Sequence, residues 1–220
     1  MKVEIVKNIL SANDQIAADN RRVFDEKGIL AINLMSSPGA GKTSLILQTI
    51  EALQGKLRLG VIEGDVASRI DADKVAAAGV PVVQINTGGA CHLDAPMIRQ
   101  ALTAGLPLDD IDLLLIENVG NLICPAEFRL GEHVQVMITS VPEGDDKPYK
   151  YPAMFTQVDA IVINKTDLLP YLDFDLAAFR QVVRGLNADV HIFEVSCKTG
   201  EGVQKWAEWL MELDEMGKVH

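Results

Sequence analysis

The chain has 220 residues, of which 31 are acidic and 20 basic, so its formal net charge is 20 − 31 = −11 with histidines neutral. This acidic balance argues against general nucleic-acid binding, which needs a basic surface, and is compatible with one nucleotide held in a pocket. The length fits one domain with one sizeable core. No run of about 18 apolar residues is present, so no membrane span is expected.

The few cysteines and the polar N-terminus indicate a cytoplasmic protein. Glu4 interrupts what would be the apolar region of a signal peptide. Three cysteines are too few for a disulfide framework. In a reducing compartment, cysteines bind metals or take part in catalysis more often than they form disulfides.

Residues 1–28 are the first predicted unit, a helix packed on the rest of the domain. Apolar residues such as Val6, Ile9 and Phe24 recur at three-and-four spacing, and Gly28 is a plausible stop. We interpret this helix as a packing element without chemistry of its own.

Residues 29–220 are the second predicted unit, in which short apolar runs alternate with helical segments. The runs are Ile29–Met35, Leu57–Ile62, Val80–Ile85, Ile111–Ile116, Val134–Thr139, Ala160–Ile163 and Val190–Val195. Runs that are apolar on both faces are typical of central parallel strands covered by helices. The pattern predicts a single-domain, doubly wound α/β fold with a mainly parallel sheet of about seven strands. Ligands of such sheets bind beyond the carboxyl ends of the strands. The polar segment Glu143–Pro152 is predicted to be a mobile surface loop.

The loop after the first predicted strand, SSPGAGKT at Ser36–Thr43, matches a P-loop except that Ser36 replaces the first glycine. Small residues let backbone N–H groups surround phosphates, at the N-terminus of the next helix. Lys42 can reach the β- and γ-phosphates, and the Thr43 hydroxyl can bind Mg²⁺. The predicted nucleotide-binding residues here are Ser37, Gly39, Ala40, Gly41, Lys42, Thr43 and Ser44. The alternative is a chance loop of this composition.

Two later loops indicate that the base is guanine. In Asn164-Lys165-Thr166-Asp167, the Asp167 carboxylate can accept from both N1–H and the 2-amino group of guanine, donors that adenine lacks. Asn164 and Lys165 would support this loop and cover the ring. Ser196, Cys197 and Lys198 resemble the second guanine-binding loop of GTPases, with Cys197 as a small residue of that loop. An ordinary polar turn is the alternative.

Two acidic residues follow predicted strands, and with Lys42 they form the predicted catalytic set. Asp65 and Glu117 are placed to bind Mg²⁺ together with Thr43, or to orient the attacking water. Each could instead cap the next helix. A Ras-type glutamine after a DxxG sequence is absent, so we expect slow hydrolysis by the isolated chain.

Cys91, His92 and Cys124 lie in the loops after the third and fourth predicted strands, which end at the same sheet edge. Two thiolates and an imidazole suit Zn²⁺, Ni²⁺ or copper. The alternatives are a buried cysteine beside a surface histidine, and a Cys91–Cys124 disulfide. Three ligands would leave a position open. The other histidines are isolated and are predicted to be structural or solvated: His133, His191 and His220.

Seven motifs carry a resemblance to a known family over nearly the whole chain. They are SSPGAGKT, EGD at Glu63–Asp65, GGACHLDA, IENVGNLICPAEFRLGEH, EGDDKPYKYP, NKTD and SCKTG. With them the chain resembles the hydrogenase nickel-incorporation GTPases of the HypB family, P-loop metallochaperones related to the urease-accessory GTPases. GGACHLDA and ENVGNLICPA separate it from those urease relatives.

The resemblance implies slow, Mg²⁺-dependent hydrolysis of GTP to GDP and phosphate by a homodimer that depends on nucleotide. It implies that Ni²⁺ or Zn²⁺ binds to Cys91, His92 and Cys124. The implied partners are a small zinc-binding accessory protein and the large subunit of [NiFe]-hydrogenase. The acidic charge balance and the lack of an apolar span lead us to expect neither a nucleic-acid nor a membrane partner.

A lysine of the neighbouring subunit can approach the γ-phosphate in related GTPases. Here Lys147 is the candidate and Lys150 its competitor.

Some members of the family that this chain resembles carry an N-terminal cysteine cluster or a histidine-rich tract for additional nickel, and this sequence has neither. No cysteine precedes Cys91 and no histidine precedes His92, so metal transfer is expected to depend on this site alone. Nucleotide-dependent nickel delivery is the leading hypothesis. The alternative is a GTPase with a structural zinc at its dimer interface, acting on partner docking.

Overall fold

A computed structural model describes residues 2–66 and 69–217, with side chains from residue 10 onward within the first helix. Met1, where the first predicted unit begins, His220, where the second ends, and the side chains of Val6 and Ile9 lie outside this description. Within it, no helix is both long and apolar enough to cross a bilayer.

Seven parallel strands form one sheet in the order β3-β2-β4-β1-β5-β6-β7. The strands are β1 Leu30–Ser36, β2 Leu59–Asp65, β3 Val82–Asn86, β4 Leu113–Glu117, β5 Val134–Ser140, β6 Ala160–Asn164 and β7 His191–Glu194. The predicted doubly wound α/β fold with about seven strands is confirmed, and the sheet is wholly parallel.

Nine α-helices connect and cover the strands of the described chain. They are α1 Lys2–Lys27, α2 Lys42–Leu53, α3 Ile70–Ala77, α4 Ala95–Thr103, α5 Cys124–Glu127, α6 Lys147–Lys150, α7 Pro152–Gln157, α8 Leu176–Leu186 and α9 Val203–Gly217. Short 3-10 turns cover Leu108–Asp110, Val141–Glu143 and Thr166–Tyr171.

The core lies on both faces of the sheet because side chains alternate along each strand. On β1, Ile32 and Leu34 pack with the residues of α2 and α9, whereas Ala31 faces the cluster that includes Phe24. The buried Trp206 indole donates to Thr49 Oγ1 at 2.9 Å and so joins α9 to α2.

Helix α1 is tied to the domain by two buried asparagines. Asn20 Nδ2 donates to the carbonyls of Ala95 and Leu130, both at 2.9 Å. Asn13 Oδ1 accepts the Ala95 N–H at 2.9 Å. The apolar periodicity predicted the helix, and these bonds show which residues hold it against α4.

Strand ends differ from the predicted runs because backbone pairing, rather than hydropathy, sets them. Strand β2 continues past Ile62 to Asp65, whose partner on β3 is Asn86. As a result two acidic residues, Glu63 and Asp65, belong to the strand end that faces the predicted ligand edge.

His133, predicted to be structural or solvated, is hydrogen-bonded inside the fold, and its titration gives the fold a pH-dependent stability. Its Nδ1 accepts the Ala31 N–H at 3.0 Å, and its Nε2 lies 2.9 Å from Asp25 Oδ1. Burial lowers the pKa of His133 from 6.5, although the bond to Asp25 opposes this shift.

Because the folded-state pKa is lowered, the neutral ring stabilises the fold above pH 6.5. This contribution is lost as the pH falls through the folded-state pKa. One proton changes the free energy of unfolding by at most about 1.4 kcal/mol per pH unit.

We expect urea titrations of the wild type at pH 7.5, 6.5 and 5.5 to show a steeper acid loss of stability than those of His133→Gln. Equal slopes for the two proteins would contradict this assignment.

Candidate functional site

The loop between β1 and α2 has the backbone of a phosphate cradle. Gly39 and Gly41 have φ of +79° and +105°, values that side-chain-bearing residues rarely adopt. A Cβ on Gly41 would lie 2.3 Å from Asn164 Nδ2, so this position admits glycine alone. Ala40 is fully buried. The N–H groups that open the 12-residue helix α2 therefore face the space above β1.

Lys42 and Thr43 point toward an acid at the end of β4. The Lys42 ammonium is buried, donates to Ser36 Oγ at 3.1 Å and lies 3.8 Å from Glu117 Oε1. Thr43 Oγ1 donates to the same Glu117 oxygen at 3.2 Å. Ser36, which departs from the P-loop pattern, thus holds the lysine through its hydroxyl.

A second buried acid, Glu63, lies beside Glu117 in the strand register. Both carboxyls are almost fully buried, and the Oε2 atom of each accepts no hydrogen bond. Burial and the adjacent Glu117 raise the pKa of Glu63 to about 10. Burial also raises the pKa of Glu117, against the opposing charge of Lys42.

This donor set fits Mg²⁺, which prefers oxygen ligands such as carboxylates. Thr43, Asp65 and Glu117 are the predicted ligands, and Asp65 lies two residues beyond Glu63 on the same face of β2. The sequence pattern assigns no role to Glu63. The signal was the two-residue spacing to Asp65, and only the β2–β4 register brings Glu63 against Glu117.

These groups line one cavity of about 560 Å³, a volume within the usual range for small-molecule sites. The lining includes Pro38, Gly39, Gly41, Lys42, Thr43, Ser44, Glu63, Asp65, Glu117, Asn118, Gly120 and Lys165. The cavity lies at the carboxyl ends of β1, β2 and β4, the edge at which the strand pattern predicts ligands.

The NKTD loop after β6 is bonded to both neighbouring loops. Asn164 Nδ2 donates to the Ala40 carbonyl at 3.0 Å, and its Oδ1 accepts the Cys197 N–H at 3.2 Å. Lys165 adopts the left-handed conformation, with φ of 61°, and its Nζ donates to the Gly39 carbonyl at 2.7 Å. Asn164 therefore fixes the distance between the phosphate loop and the SCK loop.

Asp167, the predicted acceptor for guanine, is hydrogen-bonded to the SCK loop. Ser196 Oγ donates to Asp167 Oδ1 at 2.7 Å and accepts the Thr199 N–H at 3.2 Å. Lys198 is exposed beside them. Burial raises the pKa of the Cys197 thiol to about 11, so this cysteine stays protonated at neutral pH and behaves as a small loop residue.

The segment Glu143–Pro152, predicted as a mobile surface loop, lies mostly at the surface but contains the short helix α6 and ends on the first residue of α7, so the prediction of an irregular loop was wrong over α6. Pro148 is buried and helps to anchor α6. Lys147 Nζ lies 3.3 Å from Glu143 Oε1 and 3.4 Å from Ser37 Oγ of the phosphate loop. Its competitor Lys150 is exposed and pairs with Asp146. The structure thus places Lys147 beside the phosphate loop of its own chain.

The three predicted metal ligands converge. One ligand atom each of Cys91, His92 and Cys124 lies within 4.8 Å of the others. The sulfurs of Cys91 and Cys124, both free thiols, are 3.2 Å apart, well beyond the ~2.05 Å of a disulfide bond. Cys91 Sγ lies 3.7 Å from His92 Nδ1.

The surroundings of the triad orient its ligands. Asn121 Nδ2 donates to the Cys91 carbonyl at 3.3 Å, and its Oδ1 accepts the Ile123 N–H at 2.9 Å, so one side chain spans both loops. The His92 ring lies 4.0 Å from the Phe128 ring, centre to centre. Burial lowers the pKa of His92, and the neighbouring Cys91 raises the pKa of Cys124. A lowered histidine pKa keeps the imidazole neutral, the form that binds metals.

Comparisons with known proteins find similarity to HypB proteins over most of the chain. Residues 30–194 match the sequence profile described as "CobW/HypB/UreG, nucleotide-binding domain". The hydrogenase maturation factor HypB of Azotobacter vinelandii is 51% identical over 210 residues, which are 94% of this chain and 68% of that protein.

Two solved structures show the same fold. HypB from Helicobacter pylori in complex with nickel has a TM-score of 0.88 at 38% identity and covers 93% of this chain and 96% of its own. HypB from Archaeoglobus fulgidus has a TM-score of 0.86 at 41% identity and covers 93% and 99%. Together with the phosphate loop and the Cys-His-Cys triad, these similarities show that the chain belongs to the HypB family of hydrogenase maturation factors.

Proposed function

We propose that this chain is a GTP-hydrolysing metallochaperone that carries Ni²⁺ or Zn²⁺ on Cys91, His92 and Cys124 and assists nickel insertion into [NiFe]-hydrogenase. The observation that carries the proposal is the position of this triad. One triad loop follows β3, which pairs with the strand that carries Glu63 and Asp65. The other follows β4, which ends at Glu117. The nickel complex of the Helicobacter pylori relative supports Ni²⁺ as the metal.

The residues of the nucleotide site have separate tasks in hydrolysis. The backbone from Ser37 to Ser44 holds the phosphates, and Lys42 offsets charge that develops on them. Asp167 selects guanine. Thr43, Asp65 and Glu117 would hold Mg²⁺, which when bound neutralises charge on the β- and γ-phosphates. Glu63, which is buried and pairs with Glu117 in the strand register, would help to position the Glu117 carboxyl.

The triad suits transfer of a metal better than permanent storage. Structural zinc sites are usually closed by four protein ligands, whereas three leave a position open. Cys91 is exposed, so a partner's ligand can approach it. The proposed partners are a zinc-binding accessory protein, the hydrogenase large subunit and a second copy of the chain. We place this activity in the cytoplasm, whose reducing conditions keep the thiols available.

One observation favours the alternative, a structural zinc at a dimer interface. Ile123, next to Cys124, is 61% exposed, and a second copy packed on this loop would bury it. In that case the nucleotide cycle would act on partner docking rather than on metal transfer.

Ni²⁺ and Zn²⁺ titrations with bound GDP, and with a non-hydrolysable GTP analogue, test the proposal while the dimer fraction is recorded. We expect Cys124→Ala to lower metal affinity more than about 100-fold, above the range for changes to outer-shell partners. The nucleotide-dependent dimer should persist in this variant. Cys197→Ser, a matched cysteine outside the triad, should keep the metal stoichiometry.

Two results would contradict metal transfer. Dissociation of the Cys124→Ala dimer in every nucleotide state would favour the structural zinc. Unchanged metal affinity in both Cys91→Ala and Cys124→Ala would exclude the triad as the site.

A further inference from the structure

Leu93, the residue after the ligand His92, is wedged against the acidic end of β2. Its side chain is fully buried. A Cβ on Gly64, between Glu63 and Asp65, would come within 2.7–2.9 Å of three Leu93 side-chain atoms. This close contact leaves no free space, so a shift of the β2 end must move Leu93 or break the packing.

Asn118, the residue after Glu117, bonds the same Leu93 to the end of β4. Its fully buried Oδ1 accepts the Leu93 N–H at 3.0 Å and the Val119 N–H at 2.9 Å. Its Nδ2 donates to Asn33 Oδ1 on β1 at 3.2 Å. Three bonds therefore fix this amide between the strand of the phosphate loop, the strand of Glu117 and the loop of His92.

The loop that leads to Cys124 also contacts the phosphate loop. A Cβ on Gly120 would lie 3.0 Å from the Pro38 backbone nitrogen, so the two backbones are in direct contact. Both loops of the triad are thus packed against segments that touch the nucleotide cavity.

We propose that Asn118 and Leu93 are positioning residues through which the nucleotide state sets the metal affinity of Cys91, His92 and Cys124. This inference rests on the proposed function, since it assigns the coupling between the two sites to particular residues. A nucleotide shifts metal affinity only if the two states place the ligands differently. Leu93 follows His92 directly and contacts both acidic strand ends, by packing on Gly64 of β2 and by its hydrogen bond to Asn118 after β4.

The test compares Ni²⁺ affinity with GDP and with a non-hydrolysable GTP analogue in wild type, Asn118→Ala, Leu93→Ala and Asn121→Ala. Typical couplings change affinity about 5- to 150-fold, and we expect a wild-type ratio in this range. Asn118→Ala removes the bond to Leu93, and Leu93→Ala removes the wedge but keeps its backbone bond. In both variants we expect the Ni²⁺ affinities with GDP and with the GTP analogue to differ by less than about twofold, below the range of typical couplings.

Asn121→Ala is the matched control, because the described hydrogen bonds of the Asn121 side chain join the two triad loops at Cys91 and Ile123 and do not involve Leu93 or Asn118. We expect it to lower Ni²⁺ affinity about 10- to 100-fold in both states and to keep the ratio. Thermal melts with bound GDP show that each variant is folded, and Leu93→Ala decides the matter if Asn118→Ala does not fold. By linkage, Ni²⁺ must change the affinity for the GTP analogue by the same factor as the analogue changes Ni²⁺ affinity.

The outcomes separate this inference from the proposed function. A wild-type ratio that both folded variants retain overturns the role of Asn118 and Leu93 and leaves metal transfer standing. A wild-type ratio of one overturns the inference together with the nucleotide control of metal binding. Loss of the ratio in Asn121→Ala as well would assign the effect to general loosening of the loop and also overturn the inference.

Discussion

Lys42→Met is expected to lower the rate of GTP hydrolysis about 10²- to 10³-fold, as loss of one preorganised transition-state donor does in other enzymes. Lys42 is buried, and its ammonium lies between Ser36 Oγ and Glu117 Oε1 at 3.1 and 3.8 Å. Methionine keeps the aliphatic stem and removes the charge. Single-turnover phosphate release with Mg²⁺ is the measurement, since we propose that the intrinsic rate is slow.

The matched control for this prediction is Lys56→Met. Lys56 is exposed beyond the other end of α2, where its Nζ donates to the Ala52 carbonyl. We expect this variant to hydrolyse GTP at the wild-type rate. If Lys42→Met hydrolyses GTP as fast as Lys56→Met does, Lys42 has no part in the reaction.

The fold was largely predictable because its signals are local. Seven apolar runs separated by helical segments predict a parallel sheet, and alternate residues of β1 pack on opposite faces of it. The strand ends were not predictable to the residue. Leu57, Val80 and Ile111 belong to the predicted runs, but they precede the strands that the backbone ladders define.

The positions of the P-loop and of the NKTD and SCK loops were predictable for the same reason, since each is one short motif next to one strand. What joins them was not, because Asn164 contacts Ala40 across 124 residues. The role of Glu63 likewise depends on the β2–β4 register, which pairs it with Glu117. Sequence alone shows which acid follows which strand, but not which two strands are neighbours.

The metal triad was predictable only in part: the meeting of its three ligands was, but the packing around them was not. Parallel strands end at one edge, so the sequence predicts that Cys91, His92 and Cys124 meet there, as they do. Leu93 looks like an ordinary core residue in the sequence. Its contact with Gly64 and its bond to Asn118 depend on three-dimensional packing.

Around Lys147 the sequence pattern was misleading about the local structure. Polar residues and prolines predict a loop, but the prolines open short helices, and burial of Pro148 fixes α6 next to the phosphate loop. The role proposed for Lys147 across a dimer therefore requires its present contacts with Glu143 and Ser37 to open.

Asp167→Asn is expected to weaken GTP binding about 10²- to 10⁴-fold, because two charge-assisted hydrogen bonds of about 1.5–3 kcal/mol each are lost. Asp167 is held in place by Ser196, which donates to its Oδ1 at 2.7 Å. An asparagine offers one acceptor and one donor, so its amide faces an N–H of guanine with an N–H of its own.

The same substitution should improve binding of xanthosine triphosphate, whose base has a carbonyl in place of the 2-amino group and can accept from the new amide. Competition between labelled GDP and GTP, XTP or ATP measures all three affinities in one format. Asp173→Asn, an exposed position six residues further on, is the matched control and should keep the wild-type order.

A change of preference from GTP to XTP in Asp167→Asn alone would tie base selection to one carboxylate, since a general loss of structure weakens all three ligands together. Equal GTP affinity in Asp167→Asn and wild type would mean that the NKTD loop does not contact the base. The specificity proposed for this site would then have to come from the SCK loop, whose only direct tie to Asp167 among the described hydrogen bonds is the Ser196 hydroxyl.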